Sequence, residues 1–173
     1  MTLRFRSAAA ADAGAVAALL RRYMTETLPA EWRGNESALR AAIESGRVAI
    51  LLATEEEAVI GFAATAEDFD LHHCARGLRV IDVYVDHRRR IHGIGIRLLA
   101  HTAQSAIAGG FEYLRGEAVN DPRTRRLFRR FALANGDSFN VSSKALRVLA
   151  ELGDRPIRQV VRCLPTPDAN REP

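Results

Sequence analysis

The chain has 173 residues, 47% of them hydrophobic and 27% charged, with a net charge of +4 and a pI near 9.7. That length builds one domain with a sizeable core and would cramp two. No apolar run approaches the roughly 20 residues that a membrane helix needs, and two cysteines, Cys74 and Cys163, cannot make a disulfide scaffold.

Strand and helix signals alternate along the chain. Residues 2–6 alternate like a strand, and residues 8–23 carry Val16, Leu19, Leu20 and Tyr23 at helical spacing, with Asp12 in the first turn, where a negative charge suits the helix dipole. The start of the chain lacks the long apolar segment of a secretory signal, so a cytoplasmic protein with reduced cysteines is expected. Residues 25–35, with Pro29 and Gly34, predict a loop, and residues 36–45 a short helix ending at Gly46. Residues 47–54 and 58–66 are β-rich and are separated by Glu55-Glu56-Glu57, which predicts a hairpin. Residues 69–77 predict a loop. Its His72-His73-Cys74 run offers no metal site, because adjacent residues diverge and no second ligand cluster exists.

A strand over residues 78–85 leads into Arg90-Ile91-His92-Gly93-Ile94-Gly95, and a helix is expected over residues 96–108. Further on, residues 113–119 predict a strand and residues 122–135 a helix with proline in its first turn. Residues 138–141, a helix over 142–152 and a strand over 157–163 complete a mixed α/β three-layer fold. Residues 165–173 hold three prolines and predict a short flexible tail, leaving one domain over residues 1–164.

The glycine-bearing segment carries the functional signal. Glycines allow a close backbone approach, and a helix starting there aims free N–H groups and its positive dipole end at an anion such as a pyrophosphate. A dinucleotide fingerprint would need glycine at position 98, which is leucine, and would come early in the chain. A P-loop would need Gly-Lys-Ser/Thr, whereas Gly95 is followed by Ile96-Arg97.

The positive charge is almost all arginine, with Lys144 the only lysine, and clusters at Arg88-Arg89-Arg90 and at Arg123, Arg125, Arg126, Arg129 and Arg130. Of the second cluster, Arg123, Arg126 and Arg130 take one side of a helix whose other stripe is Thr124, Leu127, Phe128 and Phe131. It reads as a solvated basic face or as a docking surface for an anion. The chain lacks the basic and aromatic interleaving of a stacking platform, so nucleic acid is not an expected partner.

The order Arg90-x-x-Gly93-x-Gly95 between a strand ending at Val85 and a helix resembles the GNAT superfamily of acyl-CoA-dependent N-acetyltransferases. The resemblance extends to Leu3-Arg4-Phe5-Arg6 with Asp12, to Val59-Ile60-Gly61-Phe62-Ala63 and to Asn120-Asp121-Pro122, covering roughly residues 2–163. It implies a central mixed, mostly antiparallel sheet flanked by helices, and acetyl transfer from acetyl-CoA to a primary amine of a small molecule or protein by direct attack in a ternary complex.

By this resemblance the backbone at Arg90, Ile91, His92, Gly93, Ile94, Gly95 and Ile96 holds the coenzyme A pyrophosphate. Val83, Tyr84 and Val85 pair with the pantetheine arm, and one of their N–H groups polarises the thioester carbonyl. Asn120 either bonds pantetheine or caps a turn. The family often places a carboxylate on this strand, which makes Asp82 the catalytic candidate; its other reading is an ion pair with Arg79 or Arg115. The family's proton-donating tyrosine is matched by Phe128, which cannot donate. Tyr84, on the same side of the strand as Asp82, is therefore the substitute acid or a wall of the acceptor cleft. A non-catalytic acyl-CoA-binding module is the alternative that Phe128 leaves open. Glu26, Glu31 and Trp32 are candidate wall residues, and a homodimer is the default for a soluble assembly.

Overall fold

The computed structural model describes residues 2–27, 30–117, 133–135 and 138–155. Asn120, Phe128, the arginine-rich helix and the strand expected over 157–163 lie outside them. Strand β1 (Leu3–Ser7) leads through a 3-10 turn (Ala10–Asp12) into α1 (Ala13–Thr27). Asp12 fastens this junction. Its carboxylate accepts the Ala9 N–H at 2.8 Å and both Arg6 guanidinium nitrogens at 2.7 Å. The first helix thus begins after Asp12 and runs through Thr27, three residues into the expected loop.

Asn35 caps α2 (Glu36–Glu44) by accepting the Ala38 N–H at 2.7 Å, and Gly46, at φ 70, ends it. Strands β2 (Ala49–Glu55) and β3 (Ala58–Asp70) form the expected hairpin, with Glu56 in the left-handed region. Beyond it come β4 (Ala75–Val85), a 3-10 turn (His87–His92), α3 (Ile94–Ala108), β5 (Tyr113–Glu117), β6 (Leu133–Asn135), β7 (Ser138–Ser142) and α4 (Ser143–Glu151).

Three expectations change. The loop expected over 69–77 shrinks to residues 71–74, because the charged end of β3 has partners: Tyr113 donates to Asp68 at 2.9 Å and Arg115 reaches Asp70 at 3.3 Å. Asp70 also accepts the His72 and His73 N–H groups and so shapes the turn. The helix expected from Ile96 starts at Ile94, since Gly93 alone takes the left-handed conformation, at φ 65. Residues 133–135, expected to end a helix, pair with β7 instead.

The described strands follow the order β1-β2-β3-β4-β5-β7-β6 in a seven-stranded sheet. β4 and β5 pair in parallel, whereas β1 with β2, β2 with β3, β5 with β7 and β6 with β7 are antiparallel. This is the mixed, mostly antiparallel α/β sheet expected. The chain divides into two compact units, one of residues 1–66 and 82–98, the other of residues 67–81 and 99–173.

The first unit packs Val16, Leu19 and Tyr23 of α1 on Ile50, Leu52, Phe62 and Tyr84. A second cluster joins Ala53, Ile60, Ala63 and Val85 to Ile94 and Leu98 of α3. In the second unit β5 is central, Gly116 packs against Phe139 and Val80, and Leu114, Val141 and Leu152 are fully buried.

Gly61 sets the end of β4. A Cβ there would sit 2.8 Å from the Tyr84 carbonyl oxygen and 3.3 Å from the Val85 Cα. The close approach lets the Asp86 N–H donate to the Ile60 carbonyl at 2.9 Å. Since both obstacles are backbone, Gly61→Ala is expected to destabilise the protein by about 1–3 kcal/mol, read from urea unfolding.

Candidate functional site

The site begins where two elements face each other in the first unit. Tyr23 and Glu26, three residues apart near the end of α1, share one side of that helix. Asp82 and Tyr84, two residues apart, share one side of β4. The Tyr84 hydroxyl donates to Glu26 Oε1 at 3.1 Å, and the Tyr23 hydroxyl lies near enough to Asp82 to influence its proton affinity. The two rings lie 5.5 Å apart, and both are buried. Each element thus gives one tyrosine and one carboxylate.

The two carboxylates have different surroundings. Glu26 also accepts from His87 Nδ1 at 3.0 Å and from Arg90 Nη2 at 2.7 Å. Asp82 is half-buried, and burial pushes its carboxyl up from the usual range, with the Tyr23 hydroxyl opposing part of that shift. Of its expected ion-pair partners, Arg115 is paired with Asp68 and Asp70 instead. One carboxylate is thus surrounded by cations, whereas burial gives the other a raised proton affinity.

The turn before the glycine is gripped at both ends. Arg22, four residues before Glu26, meets Asp86 at 2.6 Å, and Asp86 caps the turn by accepting the Arg88 N–H at 3.0 Å. Burial opposes ionisation of Asp86, but the Arg88 N–H, Arg22 and His87 together hold it below the usual carboxylate range. At the far end Arg90 donates from Nε to the Val85 carbonyl at 3.0 Å, and its guanidinium lies 5.5 Å from the Tyr84 ring centroid. Arg89 pairs with Glu55 at 2.9 Å. Arg88 is exposed, and no partner is described for its guanidinium.

Past Gly93 the first helical hydrogen bond runs from the Arg97 N–H to the Gly93 carbonyl. The N–H groups of Ile94, Gly95 and Ile96 precede it and have no intrahelical acceptor. A Cβ on Gly95 would meet only Val85 Cγ2, at 3.9 Å. Packing alone does not demand glycine there, and the first turn has room beside it. Left-handed Gly93, three N–H groups and an open Gly95 suit the phosphates of an acyl-CoA. The helix takes Ile94 and Gly95 from the segment expected to be loop, and Arg90, Ile91 and His92 fall in the 3-10 turn.

In the second unit the parallel ladder ends at Val80 opposite Gly116, although β4 and β5 both continue. A cleft of about 320 Å³ opens there, lined by Arg79, Val80, Ile81, Arg115, Gly116 and Glu117. Of the suggested wall residues, Glu26 belongs to the network above. Trp32 lies under the Arg21 guanidinium at 5.1 Å, and Glu31 is exposed. Among the described residues no cluster could hold a metal ion, and no helix is long and apolar enough to cross a membrane.

The model of the acetyltransferase (GNAT) family matches residues 15–132, more than half of the chain. The chain belongs to this family. It is thus an acyl-CoA N-acetyltransferase of the GNAT type. Its fold is similar to that of a ribosomal-protein-alanine N-acetyltransferase from Brucella melitensis biovar Abortus 2308, at 22% identity and a TM-score of 0.65, over 78% of this chain and 94% of that one. An aminoglycoside acetyltransferase from an uncultured soil metagenomic sample matches at 19% identity and a TM-score of 0.64, over 73% and 85% of the two chains. A predicted acetyltransferase from Clostridium acetobutylicum, solved with acetyl-CoA, matches at 15% and 0.65, over 79% and 92%. A comparison with curated proteins finds no significant match.

Sequence reasoning passed over Tyr23, which reads as one more residue of an apolar stripe, and over Arg22, Asp86 and His87. The available signal was the Arg22, Tyr23, Glu26 spacing at a helix end, which puts three polar groups within one turn. Burial together with a nearby carboxylate pushes all three tyrosines of the chain up to about 12. Unfolded tyrosines ionise near 10, so stability is expected to fall as pH rises from about 10 towards 12. Glu26→Gln is expected to bring one of the three transitions, that of Tyr84, back towards 10 in an ultraviolet titration.

Proposed function

We propose that the protein moves an acetyl group from acetyl-CoA to a primary amine, on a small molecule or a protein, by direct attack with both substrates bound. The observation that carries this reading is the Gly93 turn, which follows directly on the strand bearing a half-buried carboxylate of raised proton affinity. The names of two structural neighbours, acting on a ribosomal-protein alanine and on aminoglycosides, support an amine as acceptor.

In this reading the N–H groups of Ile94, Gly95 and Ile96 hold the pyrophosphate, with the turn from Arg90 to Gly93 shaped to admit it. Acetyl-CoA, when bound, supplies an acyl group activated as a thioester. Val83, Tyr84 and Val85 lend strand-edge backbone groups to its arm, one N–H being placed to polarise the thioester carbonyl. Arg90 acts from behind the turn, since its guanidinium is held by Glu26 and the Val85 carbonyl.

Asp82 is assigned the proton of the amine. An attacking amine must be neutral, and a carboxylate whose ionised form is disfavoured by burial takes a proton more readily than an exposed one. Its negative charge also draws a cationic acceptor. The Tyr84 proton is committed to Glu26, so Tyr84 serves as an acid only by exchanging that bond. Asn120 is kept as a pantetheine contact on the resemblance alone.

Two measurements test the reading. Calorimetric titration with acetyl-CoA is expected to saturate, and a flat titration overturns it. Release of free thiol, screened over polyamines, aminoglycosides, amino acids and peptides, is expected to show turnover that Asp82→Asn lowers about 100-fold or more at unchanged acetyl-CoA affinity. The same variant is expected to be as stable as the parent at neutral pH or more so. Ionising a buried carboxylate costs stability only above its ordinary pKa, so that gap closes on acidification.

A further inference from the structure

We propose that Glu26 is a positioning residue for acetyl-CoA, holding the turn before Gly93 in its binding conformation through Arg90. The inference rests on the reading of the Gly93 turn as the acetyl-CoA site and adds to it the helix that presets the turn. The charges on the two elements match end for end. Arg22 and Glu26, four residues apart, share one face of α1 and are separated by about 6 Å along its axis. Asp86 and Arg90, also four residues apart, stand at the cap of the 3-10 turn and within it. Arg22 meets Asp86 at 2.6 Å, and Glu26 meets Arg90 at 2.7 Å.

Glu26 is the group that joins the most parts of this corner. Its Oε2 takes Arg90, and its Oε1 takes both His87 Nδ1, at 3.0 Å, and the Tyr84 hydroxyl, at 3.1 Å. One carboxylate thus links the end of β4 to the first and fourth residues of the turn. The Tyr84 ring is packed in the core cluster of α1, so the anchor is fixed. Arg90 also donates from Nε to the Val85 carbonyl at 3.0 Å, its planar fork meeting both acceptors at once. A turn held this way before the coenzyme arrives has less freedom to lose on binding. By charge alone, a carboxylate beside an anion-binding turn repels acetyl-CoA. Glu26 therefore helps binding only through the order that it imposes, and this fixes the sign of the test.

Glu26→Gln keeps the shape of the side chain and removes its charge. Were charge alone at work, the variant would bind acetyl-CoA more tightly than the parent. The clamp requires the opposite: a Kd for acetyl-CoA, read by calorimetry, that rises roughly tenfold. With an amine that the parent accepts, the KM for acetyl-CoA in thiol release is expected to rise by the same factor. The kcat at saturation is expected to stay within about twofold of the parent. In an Arg90→Gln background, Glu26→Gln is expected to add less than about twofold to the Kd, because the tie is already cut.

If the parent binds acetyl-CoA and Glu26→Gln binds it as tightly or more so, the proposal is overturned and the acetyl-CoA site stands. A flat titration of the parent overturns that site and the proposal with it. A full effect of Glu26→Gln in the Arg90→Gln background overturns the proposal too, as does a fall in kcat at an unmoved KM. Should Glu26→Gln unfold, as read by circular dichroism, Arg90→Lys tests the same point. It keeps the positive charge but cannot span Glu26 and the Val85 carbonyl, so the same rise in Kd is expected, and an unchanged Kd overturns the proposal.

Discussion

The site depends on one constraint: the end of α1 must satisfy polar groups that β4 cannot satisfy by itself. The Tyr84 ring is buried in a largely apolar cluster, and an unmade hydrogen bond at its hydroxyl would cost about 1–3 kcal/mol. Glu26 removes that cost, and its charge is in turn answered by Arg90 and His87. Because Arg90 also holds the Val85 carbonyl, the same carboxylate fixes where β4 ends and where the turn to Gly93 begins. The left-handed glycine and the helix after it stand on that tie.

This constraint explains an apparent inconsistency in the arginine run. Three successive arginines before a glycine-bearing turn look like a block of positive charge offered to a ligand. In the fold Arg89 and Arg90 are paired with Glu55 and Glu26, and only Arg88 is left without a described partner. Their main contribution is to brace the turn, while the backbone N–H groups of the helix start keep no intrahelical acceptor. Backbone donors at a helix start are fixed in direction, whereas a long side chain must lose its freedom to bind. The arrangement favours geometry over net charge.

The fold was readable to different depths in different places. Helix α2 was legible to within a residue because Asn35 and Gly46 mark its two ends with local chemistry. The hairpin over β2 and β3 was legible for the same reason. The ends of β3 and β4 were not, since Asp68 and Asp70 look like loop residues until Tyr113 and Arg115, more than 40 positions away, are brought beside them. Residues 133–135 read as the end of a helix by pattern, yet β7 offers them a ladder, and pairing overrode the local preference.

What the amino-acid order determined by itself was the order of elements, the glycine-bearing turn and, through both, the family: these follow from short-range rules of spacing, capping and backbone freedom. It also placed Asp82 inside an otherwise apolar strand. What only the tertiary structure decided was the company each polar group keeps. Glu26 on Tyr84 and Arg90, and Arg22 on Asp86, join positions about 60 residues apart, and hydrogen bonds of a few ångströms leave no trace in a linear pattern. Proton affinity is set by neighbours and by burial, so the raised proton affinity of Asp82 appears only once the chain is folded.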